Sequence, residues 1–304
     1  MKKLFFSCLA LLFLLTSCES RQNEKVTIAI VTPITHPSLE QAERGFIQTL
    51  EELHPGKCQF VTYNAQGNKT LMRSEIEEIV QKRVDLVFTL GTSASQMAKE
   101  VFVKKGIVTP IVFTCVNDPV GFKIVGDSIT GVVEMLHFDA ELEALLSYKP
   151  EIKKLLVVYN PAEPGLQKDI PEIQRLLKGK GIELVTLEVY QTNELLSKVS
   201  NAMPTVDAVV VLKDNTVVSA LDVLVKLCDS FKVPLMASDL DSPDRGAAFG
   251  YGVYEVAFGQ EAAKKASQIL FSGISPKAIP VTPVSEFHLR VNEAAAKRQG
   301  IVLP

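Results

Sequence analysis

The chain has 304 residues, 47% of them hydrophobic and 22% charged, and carries a formal net charge of −3 at pH 7. That length exceeds what one compact core needs and suits two lobes of ordinary domain size, with the composition of a folded rather than a disordered chain. The near-neutral balance, with basic residues only in scattered pairs such as Lys153-Lys154, provides no field for a polyanion and argues against a nucleic-acid partner.

Met1-Lys2-Lys3 is a positive leader and Leu4 to Leu15 an apolar run broken only by Ser7 and Cys8. It is too short to span a bilayer as a mature helix and reads as an export signal. The following Leu15-Thr16-Ser17-Cys18 resembles the bacterial lipobox, the alternative being an ordinary signal with a chance cysteine. Residues 1–17 are therefore expected to be removed, Cys18 to be the lipidated first residue, and 18–25 to form a polar tether. This places the protein in the cell envelope, lipid-anchored outside the cytoplasmic membrane, in the periplasm or on the cell surface. Of the remaining cysteines, Cys58, Cys115 and Cys228 lack CxxC spacing and sit in apolar segments. Buried thiols are expected rather than a disulfide framework or a zinc site.

From Val26 the chain alternates two signals. Apolar runs at Thr27 to Val31, Leu86 to Leu90, Ile111 to Thr114, Leu155 to Tyr159, Leu184 to Val189, Ala208 to Leu212 and Leu235 to Ala237 read as strands of parallel sheets covered on both faces. Between them, Leu39, Ala42, Phe46, Leu50 and Leu53, then Met72, Ile76, Ile79 and Val80, then Ala220, Leu224 and Leu227 repeat at helical spacing, as crossover helices do. The rhythm runs from Val26 to about Val116 and again from Leu155 to about Ala237, which predicts an α/β chain of two doubly wound parallel-sheet lobes. Tyr254 to Phe271 reads as a further helix, Phe287 to Val291 as a strand, and Glu293 to Gln299 as a last helix. Sharing these between the lobes gives 26–136 plus 252–282 and 137–251 plus 283–304. The three-strand hinge then passes near Glu134 to Phe138, Tyr251 to Tyr254 and Thr282 to Ser285.

Open parallel sheets bind ligands beyond the carboxyl ends of their strands. The loops there are Thr32 to Pro37, Gly91-Thr92-Ser93, Val116-Asn117-Asp118-Pro119, Asn160-Pro161, Lys213-Asp214-Asn215-Thr216 and Ser238-Asp239-Leu240-Asp241, rich in small hydroxyls, Asn and Asp. Such residues also cap helices and build turns. No GxSxG elbow, Walker P-loop, GxGxxG after a strand or HExxH occurs. The residues thus predict a binding protein rather than an enzyme, with no metal and no cofactor.

Thr35-His36-Pro37-Ser38-Leu39, Arg44-Gly45-Phe46, Tyr63 to Gly67, Ile111 to Thr114, Asp118 to Gly121, Thr130-Gly131-Val132, Tyr159-Asn160-Pro161, Asp214-Asn215-Thr216 and Gly300 to Pro304, in this order and spacing, resemble the tryptophan/tyrosine-type substrate-binding lipoproteins of ABC transporters. The resemblance implies a type I periplasmic-binding-protein fold, a monomer that closes on a small ligand and delivers it to a membrane permease and its ATPase. It implies one wall from Thr32, His36, Thr92, Ser93, Asn117 and Asp118, and another from Asn160, Asp214, Asn215 and Asp239. For an amino-acid ligand, aromatic in this group, the carboxylate would go to Thr92-Ser93 and the ammonium to Asp214 and Asp239, with Glu134 either an acceptor or part of the hinge. Phe113, Tyr159, Tyr251 and Tyr254 are the candidates for contact with the ligand side chain. A nucleoside-binding or other small-molecule-sensing lipoprotein of the same fold is the alternative.

Overall fold

The computed structural model describes residues 25–166 and 169–303; the expected signal and Cys18 lie outside them. Five parallel strands, β1 (Val26–Thr32), β2 (Cys58–Asn64), β3 (Leu86–Leu90), β4 (Ile111–Val116) and β5 (Ile129–Val133), form the first sheet. They stand in the order β5-β4-β3-β1-β2. Helices α1 (Pro37–Leu53), α2 (Lys69–Lys82) and α3 (Thr92–Lys105) return the chain between strands.

The second sheet repeats this plan. It is built from β6 (Lys154–Tyr159), β7 (Glu183–Glu188), β8 (Ala208–Val211), β9 (Leu235–Ala237) and β10 (Phe249–Gly252), in the order β10-β9-β8-β6-β7. Its helices are α4 (Phe138–Tyr148), α5 (Asp169–Gly179), α6 (Leu195–Ala202), the single turn α7 (Asn215–Ser219) and α8 (Leu221–Phe231). The inner strands are buried on both faces: every residue of β3 and β8 is inaccessible, as apolar runs under crossover helices must be.

The C-terminal elements are divided between the sheets. Helix α9 (Glu255–Ser272) packs on α1, and the short β11 (Thr282–Pro283) extends the first sheet beside β5. Strand β12 (His288–Val291) then joins the second sheet antiparallel to β10, followed by α10 (Glu293–Arg298). The chain therefore passes between the sheets after β5, after β10 and after β11. The α1–α9 contact is close because two glycines meet it: a Cβ on Gly259 would lie 1.8 Å from the Ala42 carbonyl oxygen, and one on Gly45 would lie 2.3 Å from that of Val256. This seats α9 on the first lobe and fixes where its first residue, Glu255, projects.

Four strands are absent from the apolar runs read in the sequence: β10 and β11, which fall at the expected hinge passages, and β2 and β5. Strand β2 is an edge strand whose exposed positions are polar, Gln59 and Thr62 among them. Strand β5 is interrupted by Gly131, where a side chain would strike Phe113 at 2.4 Å. The three cysteines are free, Cys58 and Cys228 buried and Cys115 partly so. No described helix is long and apolar enough to cross a membrane.

Candidate functional site

The carboxyl ends of both sheets face one another across a cleft. An inner cavity of about 60 Å3 is lined from the first lobe by His36, Thr92, Ser93, Cys115 and Asn117, and from the second by Glu163, Asp169, Lys213, Asp214, Asn215 and Asp239. Ser38, and Glu134 and Glu255 from two of the passages between lobes, complete its polar lining. Beyond Ser93, Glu163, Pro164 and Asn215, which both spaces share, an outer chamber of about 550 Å3 continues past Ile34, Met72, Asn160 and Tyr190. The inner space holds roughly four to six waters at ~10–15 Å3 each.

The first wall is made of helix starts. Pro37 opens α1 directly after His36, a position where the missing N–H costs nothing. Gly91, at φ 81°, turns β3 into α3 so that Thr92 and Ser93 are its first two residues. Their N–H groups have no partner within the helix and carry the positive end of its dipole. The buried Ser95 donates to the Gly91 carbonyl at 2.7 Å and lies 2.8 Å from Thr89 Oγ1, fixing this turn from behind. Cys115 takes φ 56° where the β4–β5 register shifts between Phe113 and Val116, a conformation unfavourable for a residue with a side chain. Burial pushes its thiol well up.

The second wall is acidic. Six carboxylates, Glu134, Glu163, Asp169, Asp214, Asp239 and Glu255, line the inner cavity, and Lys213 is the one cation among the described lining residues. Lys213 Nζ lies 2.8 Å from Glu134 and also pairs with Glu255. Burial opposes its charge, but the two carboxylates outweigh that and hold its pKa well above the ordinary value. Burial pushes Glu255 up against the pull of Lys213. The three residues tie the passages after β5 and β10 to the second lobe.

Most of the acidic groups also hold their own loops. Asp214 caps α7 by accepting from Val217 N at 2.9 Å and accepts from Asn160 N at 2.6 Å; burial and the nearby Glu163 raise its pKa to about 7. Asp239 accepts from Asp241 N, Ser242 N and Ser242 Oγ at 2.6–2.9 Å. Glu163 accepts four bonds, from the backbone and side chain of both Asn215 and Thr216. Behind Asp239, fully buried Glu141 accepts from Ser238 Oγ at 2.8 Å, and burial raises its pKa to about 8.

Among the described residues, Lys69 Nζ donates across the outer chamber to the Ala162 carbonyl at 3.4 Å, and two bonds between side chains cross the cleft. His36 Nε2 lies 3.1 Å from Asn215 Oδ1, and Asn117 Nδ2 donates to Asp169 Oδ2 at 2.9 Å. Burial lowers the His36 pKa to about 4.

Of the residues expected from the sequence, the structure brings His36, Thr92, Ser93, Asn117, Asp214, Asn215 and Asp239 to the inner cavity. Three lie elsewhere. Thr32 is buried at the end of β1 behind the wall, Asn160 faces the outer chamber, and Asp118 accepts from Gly121 N within its own turn. None of the four aromatic candidates lines either space. Phe113 is a core residue, the Tyr159 hydroxyl donates to Glu188, Tyr251 stacks on Phe287, and Tyr254 is exposed. The apolar lining of the inner cavity is aliphatic instead, from Leu39, Leu136, Leu166 and Val218, and the outer chamber has Tyr190. Among the polar residues, Glu163 and Asp169 follow the Asn160-Pro161 turn by a few positions, outside the strand-end window that the sequence reading used. Lys213 stands in a loop singled out from the sequence, where only Asp214 and Asn215 were given a role.

Two α/β lobes of the same strand order, joined by three passages and enclosing a polar cavity at their strand ends, define a type I periplasmic-binding-protein fold. The chain matches the ABC transporter substrate binding protein family over residues 27–304, and it belongs to that family, whose members bind solutes outside the cytoplasm. It is 28% identical over 293 residues to a tyrosine-binding protein of Clostridioides difficile (strain R20291), covering 91% of this chain and 84% of that one. Among solved structures it is similar to an ABC domain from Streptococcus pneumonia in complex with L-Trp, at 24% identity and TM-score 0.85. It is also similar to the ligand-free, open structure of a substrate-binding protein with adhesive properties from Clostridium difficile, at 25% identity and TM-score 0.66. Both cover 92% of this chain and 96% of the other.

Proposed function

We propose that the protein captures an amino acid, aromatic like the ligands named for its relatives, and delivers it to an ABC permease and its ATPase. The observation that carries this reading is the pairing of unlike walls: the start of α3, with Thr92 and Ser93, faces a concentration of carboxylates across a closed space. A ligand carboxylate suits the first, where backbone N–H groups and the helix dipole meet two hydroxyls. A ligand ammonium suits the second. Asp214 and Asp239 have acceptor capacity left after serving their loops, and Glu134 Oε2 adds more. His36, Asn117 and Asn215 complete the proposed site. An aromatic side chain is larger than the inner cavity and has the outer chamber to extend into. In this reading Thr32, Asn160 and Asp118 support the loops from behind.

Closure follows from ligand contacts made to both lobes, which favour the closed state by their differential free energy. The chain works as a monomer held to the membrane through a lipid on Cys18. It performs no catalysis and needs no cofactor.

The chain contains no Trp, so added L-tryptophan is the only indole emitter. Ligand-stripped protein titrated with L-tryptophan is expected to give a saturable rise in emission anisotropy with micromolar or tighter affinity, about −8 kcal/mol. Flat responses of folded protein to L-tryptophan, and to L-tyrosine and L-phenylalanine by calorimetry, would reject the aromatic reading.

A further inference from the structure

His36 carries more information than a contact across the cleft. Asn215 Nδ2 donates to Glu163 Oε2 at 2.9 Å, which fixes the amide so that Oδ1 is the atom 3.1 Å from His36 Nε2. That oxygen can only accept, so Nε2 must carry the ring proton. Nδ1 is then a bare acceptor. It is buried and has no hydrogen-bonding partner in the protein, in a residue that is 5% exposed and lines the inner cavity. A buried acceptor without a donor costs free energy. The closed cleft therefore lacks one donor, and a ligand can bring it.

We propose that His36 is a specificity-determining residue that reads a hydrogen-bond donor on the ligand. Its Nδ1 accepts an N–H or O–H, and Asn215 with Glu163, from the opposite lobe, holds the ring in that tautomer when the cleft is closed. An amino acid meets the demand with its ammonium, and the deaminated analogue of the same acid does not. The proposal rests on the amino-acid reading for its probes, not for its geometry.

The same contact makes closure sensitive to acid. An open-cleft histidine titrates near its ordinary 6.5, whereas burial brings His36 down to about 4 when closed. Asp239 faces the ring and favours its proton, Arg245 and Lys213 oppose it, and Glu163 reaches it only through Asn215. Closure is unhindered above about pH 6.5 and must expel a proton below it, so affinity falls as pH falls from 6.5 toward 4.

The test uses the mature chain labelled with [15N]histidine, with L-tyrosine and L-tryptophan as probes at pH 7.5. In protein saturated by either, multiple-bond 15N spectra are expected to show His36 protonated at Nε2, with Nδ1 shifted as an accepting nitrogen. His36→Phe should bind at least tenfold more weakly while melting as the wild type does, His36→Gln should recover part of the loss, and indole-3-propionate should not distinguish the three. The fall in affinity below pH 6.5 should be smaller in both variants. An Nδ1-protonated ring, or His36→Phe binding as tightly as the wild type, would overturn the proposal, and the spectra of the wild type decide alone if the variants fail to fold. If folded wild type responds to no amino acid but to a member of a nucleoside and sugar panel, the amino-acid reading fails. The His36 expectations are then read with that compound. Binding of nothing overturns both.

Discussion

The two walls of the cleft come from lobes with the same strand order, and they present opposite chemistry. The first wall offers hydroxyls and amides at the starts of long helices, where Thr92 and Ser93 lead into a 14-residue helix. The second offers carboxylates at the starts of short turns, where Asp214 caps a helix of 5 residues and Asp239 holds a turn. A long helix supplies partial positive charge without help, so the first wall's side chains are spare for a ligand. The turns of the second wall need capping, so its side chains serve the fold and the ligand together. Substitutions in the second wall should therefore cost stability and affinity at once, and those in the first affinity alone.

Lys213 is the strongest test of that contrast. Lys213→Met leaves Glu134 and Glu255 buried without their partner, and the expected loss is about 3–5 kcal/mol in denaturant unfolding at neutral pH. Part of it should return as pH falls and Glu255, whose pKa burial raises, becomes neutral. A stability equal to the wild type's would show that the triad does not hold the passages.

Asp239→Ala strands two backbone N–H groups and the Ser242 hydroxyl. About 2 kcal/mol of stability should be lost together with ligand affinity. Affinity lost with stability intact would return Asp239 to the ligand alone.

Glu141, beneath the same wall, sharpens the comparison through pH. Its folded pKa of about 8 lies above the ordinary 4.5, so it binds its proton more tightly when folded. Its contribution is therefore most favourable below pH 4.5 and is lost as pH rises toward 8. Glu141→Gln should remove that dependence, gaining on the wild type by up to about 1.4 kcal/mol per pH unit across this window. Parallel stability–pH curves would contradict the buried, protonated carboxyl.

The smallest effect belongs to the first wall. Thr92→Val and Ser93→Ala should each weaken amino-acid binding by about 1 kcal/mol in calorimetry, with melting temperatures unchanged. Destabilisation without loss of affinity would erase the distinction between the walls.

The sequence was most legible where one cause acts. Strands β3 and β8 are buried on both faces and read as unbroken apolar runs, and α1 is announced by Pro37 and by Leu39, Ala42, Phe46 and Leu50 on one face. Strand β2 is an edge and exposes the polar Gln59 and Thr62, and β5 contains Gly131 where Phe113 presses on it, so neither looks like an unbroken apolar run. In the site, strand-end position located Thr92, Ser93, Asp214 and Asn215, because the ends of parallel strands converge by topology. The aromatic candidates failed for the reverse reason. Being near a strand end does not say which face a side chain takes, and Phe113 takes the core. Glu163 and Glu255 were invisible because what brings them to the cavity is a contact far away in the chain, with Asn215 in one case and Lys213 in the other.

The central claim is that an amino acid bridges these unlike walls and closes the lobes. Small-angle X-ray scattering of ligand-stripped protein, before and after saturation with L-tryptophan or L-tyrosine, measures it directly. The account predicts a more open particle without ligand and a fall in the radius of gyration, on saturation, to the value of the closed structure. A radius that stays unchanged while calorimetry shows binding would mean that the ligand does not bridge the walls, and would contradict it.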